Sequence, residues 1–315
     1  MHLALVPPAC RRWLHLALAV PGLLTLAVAQ EARSTLATLC DDAAVVAQVK
    51  VLASRIVGGQ QLVTCKPTML LKGELEGSFT LAEPDVRSCG RALHGVLPGA
   101  SYLAFLRRNA EGFALAVGSS RALEVVDPLL LAHLRTLLTG GPARRLGVLV
   151  DALESEHLRV RQDAATALLR VRGLADPRAR RKITAALAKS LDAEPRVAFD
   201  LIRVATRAAM RDAVDVLLPH YLGGRSPTLA PISRQAIAQL DPRRAVAFLE
   251  RTMPPSKLGR TRAIALLDAC GGSDAARCLS RLAAGPDRAL ATMAASVLTA
   301  DTRQPRRRFR SILQY

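Results

Sequence analysis

The stretch VRQDAATALLRV, residues Val160 to Val171, decides the second half of the chain. Its apolar residues Val160, Ala164, Ala167, Leu168 and Val171 fall at i, i+4, i+7, i+8 and i+11, which is one stripe along a helix of 3.6 residues per turn. Val197, Leu201, Val204, Ala205 and Ala208 repeat the same offsets. Both segments therefore read as helices with one face in a core and the other in water. Working outward, the pattern predicts further helices over 129–138, 144–153, 178–191, 211–222, 228–240, 242–253, 257–269, 275–284 and 288–299. The breaks between them carry Gly, Pro or Asp, as in Gly140-Gly141-Pro142, Gly223-Gly224, Asp241-Pro242, Gly271-Gly272 and Gly285-Pro286, the residues that end helices. No strand pattern interrupts the series, so stacked helical pairs are expected.

Aligning the second helix of each pair brings Ala164, Leu201, Ala236, Ala263 and Ala294 into equivalent places, spaced by 37, 35, 27 and 31 residues. A period in this range is that of helical-hairpin repeats, and a small residue at such a position lets neighbouring helices approach closely. The Val160 to Val171 stretch resembles the second helix of the bacterial type of HEAT repeat, whose common form is Val-Arg, two variable residues, Ala-Ala, one variable residue, Ala-Leu. Residues 233–240 and 259–267 resemble it less closely. The resemblance covers residues 128–300 and implies a right-handed solenoid with a binding surface.

Upstream the period becomes two. Val45, Ala47, Val49 and Val51 alternate with Val46, Gln48 and Lys50; Val63 and Cys65 alternate with Thr64 and Lys66; Phe79 and Leu81 alternate with Ser78 and Thr80. Turn signals at Gly58-Gly59, Lys72-Gly73, Pro98-Gly99 and Glu111-Gly112 separate these from further strands over 101–106, 113–117 and 122–126. Short antiparallel strands at this density point to a small barrel or sandwich. The fold class expected is thus α+β in two domains, a small antiparallel β-barrel over 35–127 followed by an all-α solenoid over 128–300, with a basic tail over 301–315.

The order Cys40, DDAAVVAQVKVL, a strand ending MLLKG, SCG with Cys89, then LPGASYLAFLR is similar to the netrin-like modules related to tissue inhibitors of metalloproteinases. The resemblance spans 35–127 and implies an OB-type barrel and a disulfide between Cys40 and Cys89. In animal inhibitors of that family a free amino-terminal Cys chelates the protease zinc. Here Cys40 lies inside the chain, so that activity is not carried over. Cys270 and Cys278 flank Gly271-Gly272 and read either as a second disulfide or as two separate core thiols. Cys65 falls on an inward strand face, where a buried thiol is expected.

Residues 1–29 contain no acidic residue, carry Arg11 and Arg12, continue in an apolar run from Trp13 to Leu26 and close on Ala27-Val28-Ala29. This is the pattern of a signal peptide cleaved before Gln30, and the apolar run is short for the roughly 20 residues of a membrane span. The protein is accordingly expected in the periplasm or outside the cell, with no transmembrane segment after cleavage. That address also excludes nucleic acid as the partner.

Charge and composition narrow the partner. Against 44 Lys and Arg stand 26 Asp and Glu, a formal net charge of +18, while aromatic residues make up 3% of a chain that is 50% hydrophobic. The interior must therefore be built from Ala, Leu and Val. The basic surplus is nearly all Arg, whose planar fork suits carboxylates and phosphates. Arg159 and Arg161 on one helix, and Arg303, Arg306, Arg307, Arg308 and Arg310 in the tail, are the candidate binding residues; pairing with neighbours such as Asp163, Glu194 and Asp200 is their other reading. HExxH, paired CxxC, GxSxG and phosphate-loop motifs do not occur in the sequence, and the four histidines after residue 29 have no metal-ligand spacing. The expectation is an exported, non-enzymatic interaction scaffold without a cofactor, binding an acidic protein or an anionic envelope polymer. Its rival is a secreted protease inhibitor acting through the β-domain.

Overall fold

The computed structural model describes residues 35–303 except 59, 84–92, 94, 95, 111, 117–121, 172, 173 and 225, with the backbone alone at 142, 143 and 301–303. The leader, Cys89 and residues 306–310 lie outside the described residues. The chain divides into two compact units, one up to Gly141 and one from Pro142.

The first unit opens with a helix that the strand pattern did not anticipate, α1 (Leu36–Asp42). Thr35 caps it: its Oγ accepts from the Thr38 amide at 3.2 Å, and the Thr38 hydroxyl oxygen accepts from the Thr35 amide at 2.8 Å. This reciprocal pair satisfies two amides that a helix start otherwise leaves unpaired. Six strands follow: β1 (Val45–Val57), β2 (Gln60–Lys72), β3 (Phe79–Glu83), β4 (Ser101–Asn109), β5 (Gly112–Leu115) and β6 (Leu123–Val125). The order is β3-β2-β1-β4-β5, with β6 also on β4, and every pairing is antiparallel.

Register follows the alternation. Val45, Ala47, Val49 and Val51 point into a core with Val63, Cys65, Leu81, Ala104 and Leu106. Val46, Leu103 and Phe105 on the opposite face are buried too, where α1 packs against β4. Beyond Val51 the alternation stops, although β1 runs on to Val57 as an edge paired to β2, which is itself paired there to β3, and Ile56 and Val57 are exposed. Gly73 closes β2 with a φ of +74°, and a Cβ there would sit 2.2 Å from the Ala44 carbonyl oxygen. Only glycine fits that turn.

The sheet is not the closed barrel that the strand count and the netrin-like resemblance imply. β3 and β5, at the two ends of the order, approach through Phe79 and Phe113, whose ring centroids lie 5.8 Å apart at 65°. Among the described residues no ladder joins them. The reason is strand length: the far side of β4 is divided between β5, of four residues, and β6, of three. An edge-to-face aromatic contact takes the place of a hydrogen-bonded seam.

The helices begin with α2 (Pro128–Ala152), broken at Gly141, whose φ of 64° and ψ of 173° are not helical. The two units divide at this break, later than the change of period at Pro128. Before it, Leu130, Leu134 and Leu137 are buried and Arg135 Nη2 reaches the Met69 sulfur at 3.1 Å, so this segment belongs to the sheet unit. After it come α3 (Leu158–Leu168), α4 (Pro177–Ala193), α5 (Pro195–Arg207), α6 (Ala213–Gly223), α7 (Ala230–Leu240), α8 (Pro242–Arg251), α9 (Lys257–Cys270), α10 (Gly272–Ala283) and α11 (Arg288–Arg303). Caps explain several starts. Asp176 accepts from the Arg178 and Ala179 amides ahead of Pro177, Asp241 from Arg244 ahead of Pro242, and Ser256 from Gly259, each an acceptor for an orphan amide.

Packing in the second unit is serial. α3 lies on α5, α5 on α7, α7 on α9 and α9 on α11, while α4 lies on α6 and α8 on α10. Ala164, Leu201, Ala236, Ala263 and Ala294, the five equivalent positions along the first row, are each 1% exposed or less. Small side chains at the contact keep consecutive backbones close, which an interior poor in aromatics requires. No helix among the described residues is long and apolar enough to cross a membrane.

Two measurements test this packing. Leu168 is buried between α3 and its neighbours, so Leu168→Asp should cost at least about 3 kcal/mol and lower the helical melt; an unchanged melt would contradict the packing. In the sheet unit, burial pushes the His133 imidazole down from 6.5 to about 4. The unfolded chain takes up that proton first, so stability should fall as pH drops from 6.5 towards 4, by at most about 1.4 kcal/mol per pH unit. His133→Gln should flatten urea midpoints across that window relative to the parent.

Candidate binding surface

The arginines divide into two groups, and the first faces inward. Arg161, in the first turn of α3, sets Nε 3.0 Å and Nη2 2.6 Å from the Glu194 carboxylate between α4 and α5, while Nη1 donates to the Ser155 carbonyl at 2.5 Å. Arg159 Nε lies 3.0 Å from the nearly buried carboxylate of Asp163. Both sequence-derived binding residues of α3 are thus engaged within the unit. The same use recurs along the stack. Arg180 donates to the Leu174 and Ala208 carbonyls at 2.6 and 3.0 Å, Arg207 to the Leu169 carbonyl, and Arg262 to the Tyr221 carbonyl at 2.6 Å. Arg244 meets Asp215 at 2.6 Å, Arg260 meets Asp287, and Arg281 meets Glu250.

Most of these bonds link residues 27 to 41 positions apart, the spacing of the aligned helices. They are cross-links between one helix pair and the next. Arg suits this task because its fork reaches across an Ala-lined contact and satisfies carbonyls at helix ends as well as carboxylates. Asp287 shows the converse. The Leu290 amide, with Arg260 beside it, holds its carboxyl below the usual range, so a single acid caps α11 and anchors α9.

The second group faces out. Along α5, Arg196, Phe199 and Arg203 are spaced i, i+3 and i+7, which places them on one face. Phe199 is 41% exposed, and the Arg203 guanidinium carbon lies 5.9 Å from the centre of its ring. Arg196 and, on α7, Arg234 are exposed and have no ion-pair partner among the described residues. The 35-residue offset between Leu201 and Ala236 sets Arg234 on α7 at the position equivalent to Phe199 on α5. Sequence reasoning overlooked this group, although the signal was present: a lone aromatic at the outward offset of a helix whose inward stripe is already complete.

The remaining candidates offer less. Cys270 and Cys278 are separate free thiols, and Cys65 is another. Burial pushes the Cys65 thiol up to about 11 and that of Cys270 to about 12, and it raises Cys278 as well, with Glu250 adding to it. At neutral pH these sulfurs are protonated and poor nucleophiles. Cys40 is buried, and its expected partner Cys89 lies outside the described residues. No group of three or more His, Cys, Asp or Glu among the described residues could hold a metal. A cleft of about 350 Å³ between α8, α10 and α11 is floored by Leu249, Met253, Leu282 and Leu290. Its charged groups are already used, Arg281 on Glu250 and Asp287 on Arg260. The Arg303 side chain and Arg306, Arg307, Arg308 and Arg310 fall outside the described residues.

If Arg161 is a cross-link, Arg161→Ala should lower stability by about 1–2 kcal/mol, as expected for a half-buried bidentate pair, and leave adsorption to polyglutamate unchanged. Loss of adsorption at constant melting temperature would return Arg161 to the binding residues. Neither a scan against protein-family models nor a search of curated proteins finds a match to this chain.

Proposed function

We propose that the chain is an exported, non-enzymatic interaction scaffold whose helical unit, a HEAT-like stack, binds an acidic partner. The observation that carries this reading is the division of the arginines. Those directed between helix pairs are consumed by carboxylates and carbonyls of the stack, yet on the α5–α7 face Arg196 and Arg234 are exposed and have no counter-charge among the described residues. In a chain of net charge +18, an uncompensated basic face beside an exposed aromatic ring has no part in holding helices together and suits the recognition of carboxylates or phosphates. Serial packing supports the repeat reading, because it builds an extended surface from neighbouring helices.

The sheet unit is proposed as a netrin-like module, with Cys40 and Cys89 joined in the oxidising space outside the cytoplasm. Cys40 lies buried in the second half of α1, and the proposed disulfide would tie that helix to the segment that follows β3. The tail of residues 303–310 supplies a second cationic element whose contribution is separable from the helical face.

The test is adsorption of the full chain, and of a chain ending at Gln304, to polyglutamate across a salt series. Both should bind at low salt and weaken steeply towards physiological ionic strength, where exposed charges are screened over about 8 Å. Deleting the tail should weaken binding without abolishing it. Complete loss on deletion would move the function from the helical unit to the tail, and failure of the intact chain to bind at low salt would refute the acidic-partner reading.

A further inference from the structure

We infer that the partner surface is the face formed by Arg196, Phe199 and Arg203 of α5 with Arg234 of α7, and that its ligand is an acidic polypeptide segment presenting an apolar side chain between carboxylates. This deepens the proposed function and rests on it.

Charge complementarity accounts for half of the inference. On this face Arg196 and Arg234 have no acidic partner among the described residues. The acids nearest in sequence at α5 and its N-cap are engaged elsewhere: Glu194 accepts from Arg161, and Asp200 accepts from the Thr166 hydroxyl at 2.6 Å and is turned towards α3. That bond also fixes the rotation of α5: with Asp200 held on the α3 side and Val197, Leu201 and Val204 in the core, Arg196, Phe199 and Arg203 are left on the solvent side. Arg234 stands on α7, the helix packed against α5, at the position equivalent to Phe199. The ring thus has Arg196 and Arg203 on its own helix face, with Arg203 over it, and Arg234 adds an exposed guanidinium on the neighbouring helix.

The aromatic ring carries the other half. The chain has six Phe in 315 residues, and Phe79, Phe105 and Phe113 serve the sheet. Phe199 instead stands 41% exposed beneath Arg203. A polyanion held by charge alone makes no use of an apolar platform. A peptide does: Arg and aromatic residues together dominate the centres of protein interfaces, where the ring excludes water and strengthens the flanking ion pairs. The Arg203 guanidinium over the ring restricts the ring's motion, which reduces the ordering needed on binding.

The experiment uses the full chain and three probes: a labelled twelve-residue peptide of Glu with two central Leu, polyglutamate of the same length, and polygalacturonate. The parent should prefer the Leu-containing peptide. Arg196→Glu with Arg234→Glu should weaken it by at least about tenfold, with the helical melt retained because neither side chain cross-links the stack. Phe199→Ala should erase the preference over polyglutamate while leaving polyglutamate binding in place. Unchanged peptide affinity in the double variant would overturn the surface and leave the acidic-partner reading standing. Polygalacturonate binding as tightly as the Leu-containing peptide would overturn the polypeptide assignment, and no binding of any probe by the parent would overturn both this inference and the reading beneath it.

Discussion

Close approach between successive helices, permitted by small buried residues, is the constraint on which the second unit depends. With few aromatic side chains, Leu, Ile and Val supply the bulk of the interior, and backbones come near one another over Ala164, Ala236, Ala263 and Ala294. At these four positions the side chain is a single methyl group. The stack also gains from directional bonds at its margins, and the arginines provide them, bridging from one helix pair to the next through carboxylates and helix-end carbonyls. Composition and electrostatics are two aspects of one solution.

The same constraint explains why the basic surplus is ambiguous in sequence and readable in structure. Arg161 and Arg196 are indistinguishable as letters. One lies where α3 meets the α4–α5 junction and clasps Glu194; the other lies on the outward side of α5 and clasps nothing among the described residues. A count of arginines near a helix cannot separate these cases, because the partner of each cross-link stands about one repeat away.

Much of the fold was nevertheless legible. The one-sided stripes from Val160 and from Val197 became α3 and α5, and the Gly and Pro breaks marked the helix ends to within a few residues. The alternation from Val45 to Val51 fixed the inward face of β1. What escaped had physical reasons. α1 has seven residues, too few for a period to emerge. β1 and β2 run to thirteen residues each; beyond Val51 β1 pairs with β2 alone and is mostly exposed, so that half has no apolar face to pattern. Barrel closure depends on whether the last strands are long enough to form a seam, which alternation over three or four residues does not encode. The α5–α7 surface escaped because attention fell on runs of charge, whereas the face is assembled from single residues on two helices.

Hydrogen–deuterium exchange of the full chain with and without the Leu-containing acidic peptide tests the central claim most directly. A ligand on the outer face of α5 and α7 stabilises those helices against local opening, so exchange should slow in segments covering Pro195–Arg207 and Ala230–Leu240 and stay unchanged over the strands of the first unit. Protection confined to the sheet unit or to the segment beyond Arg303, with α5 and α7 exchanging at their unbound rates, would contradict the account.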